Sequence, residues 1–207
     1  MSVVEPLLAE LAVTSAPLLR PEPRPRMTLA EFHGLEDDAR IDRDLIRGEL
    51  WEEPMSKRNR RHSEIEPEVA GTIRDWIRQA PDERGRVFSG EAGVDFEQFE
   101  SGVGIDVTYF DKPAMDRQPE DGPFLVGPPT LAVEVLSPSD RFDRLWAKTD
   151  NYLAAGTPWV WIIDPHFQTV LVLRPGRGPA LAAGDRQLAC EPEMPGFAVP
   201  ARSFFPR

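Results

Sequence analysis

Cysteine is almost missing: Cys190 stands alone in 207 residues, so the chain forms no internal disulfide and no cysteine-based zinc site. Long apolar runs are also missing. None approaches the roughly 18–20 residues that span a bilayer, and no membrane partner is expected. The N-terminus lacks a basic start followed by an apolar core, so no signal peptide is expected, and a cytoplasmic location fits best. Positive charge is in short supply, with 24 Lys and Arg against 35 Asp and Glu and a formal net charge of −11. That balance argues against a protein that coats nucleic acid through charge alone. It does not exclude a metal-dependent site, whose carboxylates are negative until the cation arrives. No internal repeat is present.

What is there suffices for one domain with a proper core, since hydrophobic residues make up 41% of the chain. Residues 1–26 read as a flexible proline-rich arm, punctuated by Pro17, Pro21, Pro23 and Pro25. Residues 27–207 read as a single domain. Thr28 caps a short helix over 29–35, with Glu31 in its first turn. A strand pattern covers 44–51, with Arg47-Gly48 as a turn or bulge. A helix follows over 63–79, with Ile65, Val69, Ile73, Trp76 and Ile77 on one face and Pro67 within its first turns. Strands are expected at 86–89, 92–96 and 103–110, and a polar, proline-rich loop over 112–129.

A strand over 130–136 leads into a helix over 141–155 that Gly156 and Pro158 terminate. Phe142, Leu145, Trp146, Thr149, Tyr152 and Leu153 are expected on its core face. A hairpin of 159–163 and 169–173 closes the core, with Trp159 and Trp161 on one side for core or interface packing. The tail over 175–207 shows few periodic segments. This order predicts a mixed α/β domain, a central sheet with helices on its faces.

Two residues break the apolar pattern. Glu134 sits in the middle of Leu131-Ala132-Val133-Glu134-Val135-Leu136, and Asp106 in Val103-Gly104-Ile105-Asp106-Val107. An isolated ionised carboxylate in such a place is costly, so each must be paired, protonated or bound to a cation. Alternation puts Asp106 on a face with Gly104 and Thr108, and Glu134 on a face with Ala132 and Leu136. Neighbouring strands would let both acids point the same way beside small residues, a geometry that suits Mg²⁺. Pairing with an Arg or Lys, or a strand end in water, is the alternative. Lys148 lies on the following helix, either returned toward Glu134 or solvated on the flank. The run Lys57-Arg58-Asn59-Arg60-Arg61 is the densest basic patch, either a solvated loop or a phosphate contact ahead of a helix start.

The run Pro129 to Ser139, followed by Asp143, Lys148, Tyr152, Ala155-Gly156, Trp161 and Ile163-Asp164-Pro165, resembles the Uma family of restriction-type endonucleases. That family lies within the PD-(D/E)XK nuclease superfamily. Met27-Thr28-Leu29-Ala30-Glu31-Phe32 and Leu45-Ile46-Arg47-Gly48-Glu49-Leu50 are similar to the family's opening, and His62 falls where it commonly carries histidine. The resemblance covers roughly 27–174.

It implies a restriction-endonuclease-like core and a Mg²⁺-dependent endonuclease acting on DNA, with Mn²⁺ as a substitute ion. Asp106 and Glu134 would be the signature acids, holding the ion with the Val135 carbonyl and with Glu49 extending the shell. Ile105 stands where the signature has proline, and Leu136 where it has lysine, which makes Lys148 the candidate for the lysine role. Lys57, Arg58, Arg60, Arg61 and His62 would contact the nucleic acid, and two symmetric copies would cut the two strands. The departures keep two other readings open: a catalytically inactive module binding DNA or protein, and a hydrolase of small phosphate esters.

Overall fold

The computed structural model describes residues 23–55, 59–138 and 140–205. Thr28 opens α1 (Leu29–His33) as expected, its hydroxyl accepting the Glu31 N–H while the Glu31 carboxylate accepts the Thr28 N–H. The body of the fold begins before residue 27. Arg24 lies over the Trp51 ring and pairs with Asp143, and Pro25 accepts the Leu50 N–H, so the described end of the expected arm is packed down.

The single strand expected over 44–51 is a hairpin of β1 (Ile41–Ile46) and β2 (Glu49–Pro54). It turns at Arg47 and Gly48, both at positive φ, which matches the twist of a tight hairpin. Next, α2 (Arg60–Ile77) starts three residues ahead of its apolar periodicity, because the Asn59 side chain accepts the His62 N–H as the cap. Pro67 therefore lies inside the helix rather than in its first turns, and leaves the Ser63 carbonyl without its usual donor. The apolar face is the expected one, with Ile65, Val69, Ile73 and Trp76 buried.

The two strands expected at 86–96 are one, β3 (Arg86–Phe96), bulged at Gly90 and Glu91. It pairs with the long central β4 (Ser101–Phe110). The expected loop over 112–129 holds α3 (Lys112–Met115) and β5 (Leu125–Val126), which adds to β3 in parallel. Then come β6 (Leu131–Val135), α4 (Phe142–Ala155), β7 (Trp159–Asp164) and β8 (Thr169–Leu173) in the expected order. The tail contributes β9 (Ala180–Ala183), β10 (Gln187–Ala189), β11 (Ala198–Pro200) and a last 3-10 turn.

The main sheet runs β2-β1-β4-β6-β7-β8-β9, with β3 attached at β4 and β5 at β3. Its β6–β7 pair is parallel, so the chain must cross over between them, and α4 is that crossover. One face packs on α2 and the tail, through Val133, Trp161, Phe197 and Phe204. The other packs on α4, through Ala132, Ile162, Leu145 and Tyr152.

One expectation fails here, and another holds in its core part. Phe142 and Trp146 are exposed rather than on the core face of α4 (68% and 47%). The helix is turned so that Arg144 and Lys148 go inward to meet acids, and the aromatic residues swing out. Trp159 and Trp161 are both buried within the protein, Trp161 against Phe197 and Phe204 of the tail, so neither is free for an interface between copies.

Candidate active site

The β4–β6 ladder pairs Tyr109 with Leu131, Thr108 with Ala132 and Val107 with Val133, and stops there. The next step of this register sets Asp106 across from Glu134. Beyond the ladder's end the Val135 N–H donates to Asp106 Oδ2 at 2.8 Å instead of to a backbone carbonyl. On its other edge β4 faces the Gly90-Glu91 bulge at the same level. Asp106 thus stands where strand pairing is irregular on both sides, and its carboxylate takes a bond that the ladder leaves over.

Glu134 is buried under α4. Lys148 and Tyr152, one helical turn apart, both reach it. The Tyr152 hydroxyl donates to Oε1 at 2.7 Å, and the Lys148 ammonium lies 2.9 Å from Oε1 and 3.0 Å from Oε2. From the opposite side of the sheet, His62 on the first turn of α2 puts Nε2 3.2 Å from Asp106 Oδ2. Its Nδ1 lies 3.7 Å from Glu66 Oε2.

Burial alone would raise the Asp106 carboxyl. The hydrogen bond and charge of His62, with Lys148 and the Val135 N–H, outweigh it and hold the group down at about 2. Glu134 goes the other way. Burial pushes it up to about 7, the neighbouring Asp106 charge adds to this, and Lys148 and Tyr152 offset only part. Burial would lower Lys148, yet Glu134, Asp44 and Asp106 together hold its ammonium protonated well above its ordinary value. Tyr152 is raised by burial and by Glu134. Asp140, which accepts the Ser137 N–H at 2.7 Å, is raised chiefly by burial.

A turn before Lys148, Arg144 is clamped by three acids of the β1–β2 hairpin. Its guanidinium lies 2.6 Å from Asp44, 2.9 Å from Asp42 and 3.2 Å from Glu53. Asp44 also accepts the Gly104 N–H at 3.1 Å, which ties hairpin, β4 and α4 together. These groups line one cleft of about 480 Å³.

Asp106, Glu134, Val135, Lys148 and His62 all line this cleft. His62 is buried against Asp106 rather than presented outward to a phosphate backbone. Glu49 is not brought to the site. It lies at the turn end of the hairpin, 3.2 Å from Arg26, while the open end carries Asp42 and Glu53 into the cleft. Arg60 is exposed and paired with Glu64, and Arg61 reaches the Pro165 carbonyl at 3.4 Å; neither lines the cleft. Lys57 and Arg58 lie outside the described residues.

Sequence reasoning missed Glu66, Glu91, Asp140 and the Arg144 clamp. The one signal for the clamp was the acid alternation Asp42-Arg43-Asp44 on a strand. Eight carboxylates and three permanent cations line the cleft among the described residues, a surplus that favours a divalent cation. The donors are buried carboxylate oxygens and an imidazole, a set that fits a hard or borderline ion.

No helix among the described residues is long and apolar enough to cross a membrane. The fold is similar to that of a putative nuclease belonging to DUF820 from Anabaena variabilis ATCC 29413. The TM-score is 0.73 at 23% identity, over 86% of this chain and 97% of that one. None of the curated proteins matches. Residues 29–202 match the Uma2 family, described as "Putative restriction endonuclease", and the chain belongs to that family.

Proposed function

We propose that the chain is a divalent-cation-dependent endonuclease that hydrolyses DNA phosphodiester bonds, with Mg²⁺ as the resident ion and Mn²⁺ as a substitute. The observation that carries this reading is the meeting of Asp106, Glu134 and Lys148 in one cleft. Asp106 and Glu134 would hold the ion, with the Val135 carbonyl beside them. When bound, the ion polarises the scissile phosphate and lowers the pKa of a bound water. Asp106 is suited to the ligand role because it stays ionised at every working pH. Lys148 keeps its proton, so its part is to orient the attacking water and offset phosphate charge rather than to act as the base. Tyr152 fixes the rotamer of Glu134 from the same helix.

A second reading is favoured by the acid surplus of the cleft, which repels a phosphate backbone until cations arrive. On that reading the chain is a catalytically inactive nuclease-fold module that binds DNA or protein. Incubation of purified protein with plasmid and varied linear DNA, in Mg²⁺ or Mn²⁺, separates the two. Cleavage that disappears in Asp106→Ala supports the endonuclease. No cleavage by either protein supports the inactive module. We read the working form as a homodimer, because two strands call for two symmetric sites, and sedimentation with a DNA duplex tests that.

A further inference from the structure

Resting on the metal-centre reading above but departing from its choice of resident ion, we propose that His62 is a nitrogen ligand of the ion held at Asp106, that Glu66 orients it from behind, and that the centre therefore prefers Mn²⁺ to Mg²⁺. An imidazole is buried beside the acids of the cleft. His62 is 2% exposed, and its helix start is anchored by Asn59. The ring is placed edge-on between two carboxylates, with Nε2 3.2 Å from Asp106 and Nδ1 3.7 Å from Glu66.

The spacing suits shared coordination. Ligand atoms of His62, Glu66 and Asp106 all lie within 4.8 Å of one another. An ion with bonds of about 2.1–2.2 Å holds ligand atoms about 3 Å apart at right angles and about 4.3 Å apart across it. The Nε2–Oδ2 distance is that of two adjacent ligands. Glu66, one helical turn after His62, faces the other ring nitrogen, as the outer carboxylate of a metal-bound histidine does, and fixes which nitrogen looks at Asp106. Meanwhile both oxygens of Glu134 meet Lys148, and one also meets Tyr152, so Glu134 is held on the α4 side while the imidazole stands on the α2 side of Asp106.

Ion preference follows from ligand chemistry. Mg²⁺ demands oxygen ligands and gives up its waters reluctantly, whereas imidazole suits the transition metals. Swapping one oxygen for a nitrogen therefore moves the site from Mg²⁺ toward Mn²⁺.

The test uses the full-length protein stripped of metal with EDTA. Mn²⁺ and Mg²⁺ are titrated separately by calorimetry, and the Mn²⁺-loaded protein is examined by pulsed electron paramagnetic resonance, with and without ¹⁵N-histidine. The proposal expects Mn²⁺ to bind at least tenfold more tightly than Mg²⁺. It expects a ¹⁴N coupling that ¹⁵N-histidine replaces. His62→Ala should lose that coupling and bring the two affinities within about threefold, and Glu66→Gln should weaken Mn²⁺ about tenfold while keeping the coupling. Mn²⁺ bound without histidine coupling in the unaltered protein overturns the inference and leaves an Asp106–Glu134 centre standing, independently of whether His62→Ala folds. No binding of either ion at millimolar concentration overturns the metal-centre reading itself.

Discussion

Lys148 Nζ lies 2.9 Å from Glu134 Oε1, though the two are carried by different elements and separated by the whole β6–α4 connection. The pair is buried, and the ammonium does not fully compensate the burial of the carboxylate, which is raised from 4.5 to about 7. A carboxyl raised in the folded state binds its proton more tightly there than in the unfolded chain. Its contribution to stability is therefore full below about pH 4.5 and is lost as pH rises to about 7. In metal-free protein the loss is on the order of 3 kcal/mol. Glu134→Gln removes the titration, so thermal melts should show the wild type falling relative to the variant between pH 5 and pH 7.5. A difference independent of pH would mean that Glu134 is ionised throughout.

Arg144 anchors α4 to the β1–β2 hairpin through Asp42, Asp44 and Glu53. Removing the cation leaves Asp44, 2% exposed, without its chief counter-charge. Arg144→Met is expected to cost about 3–5 kcal/mol in urea unfolding. Arg144→Lys should recover little, because a single ammonium cannot satisfy three acids that a planar fork reaches at once.

The acids at the heart of the site were legible because a carboxylate inside a run of branched residues demands an explanation, and both Asp106 and Glu134 interrupt such runs. Lys148 was legible as a lysine on the following helix, either returned toward Glu134 or solvated on the flank, and the family pattern pointed to the first. Periodicity alone did not choose between them, since it assumes that the apolar stripe faces inward, and here ion pairing turns Arg144 and Lys148 in and Trp146 out. The Arg144 clamp joins residues about a hundred positions apart, a distance over which sequence pattern carries no register. The interruption of β3 at Gly90-Glu91 was visible as a gap between two strands, but that it faces Asp106 is a property of the pairing. The tail escaped for a simpler reason: its strands are three or four residues long, too short to show a period.

That tail is nevertheless core. Phe204 is fully buried, with its ring centroid 5.9 Å from that of Trp161. Phe204→Ala is expected to destabilise the fold by about 3–5 kcal/mol, through lost burial and the cavity left behind. Urea unfolding should show a lower midpoint at an unchanged slope. A loss under about 1 kcal/mol would mean that the tail packs only loosely on the sheet.

Metal binding and cleavage should come apart at Lys148. The ammonium touches Glu134 and faces the charge of Asp106, but it has no lone pair to offer an ion while it keeps its proton. Lys148→Met removes a positive charge beside two acids, so it should leave divalent-ion affinity unchanged or raise it. The same change removes the group that offsets phosphate charge, and cleavage should fall by about 10²–10³-fold. Asp106→Asn should instead lose both, since it takes away a ligand. Parallel calorimetry and plasmid cleavage on the two variants read this directly. A Lys148→Met protein that cuts at the wild-type rate would show that the lysine balances Glu134 for the fold alone, and the part assigned to its ammonium would then have to pass to Arg144 or to Arg141 on the cleft wall.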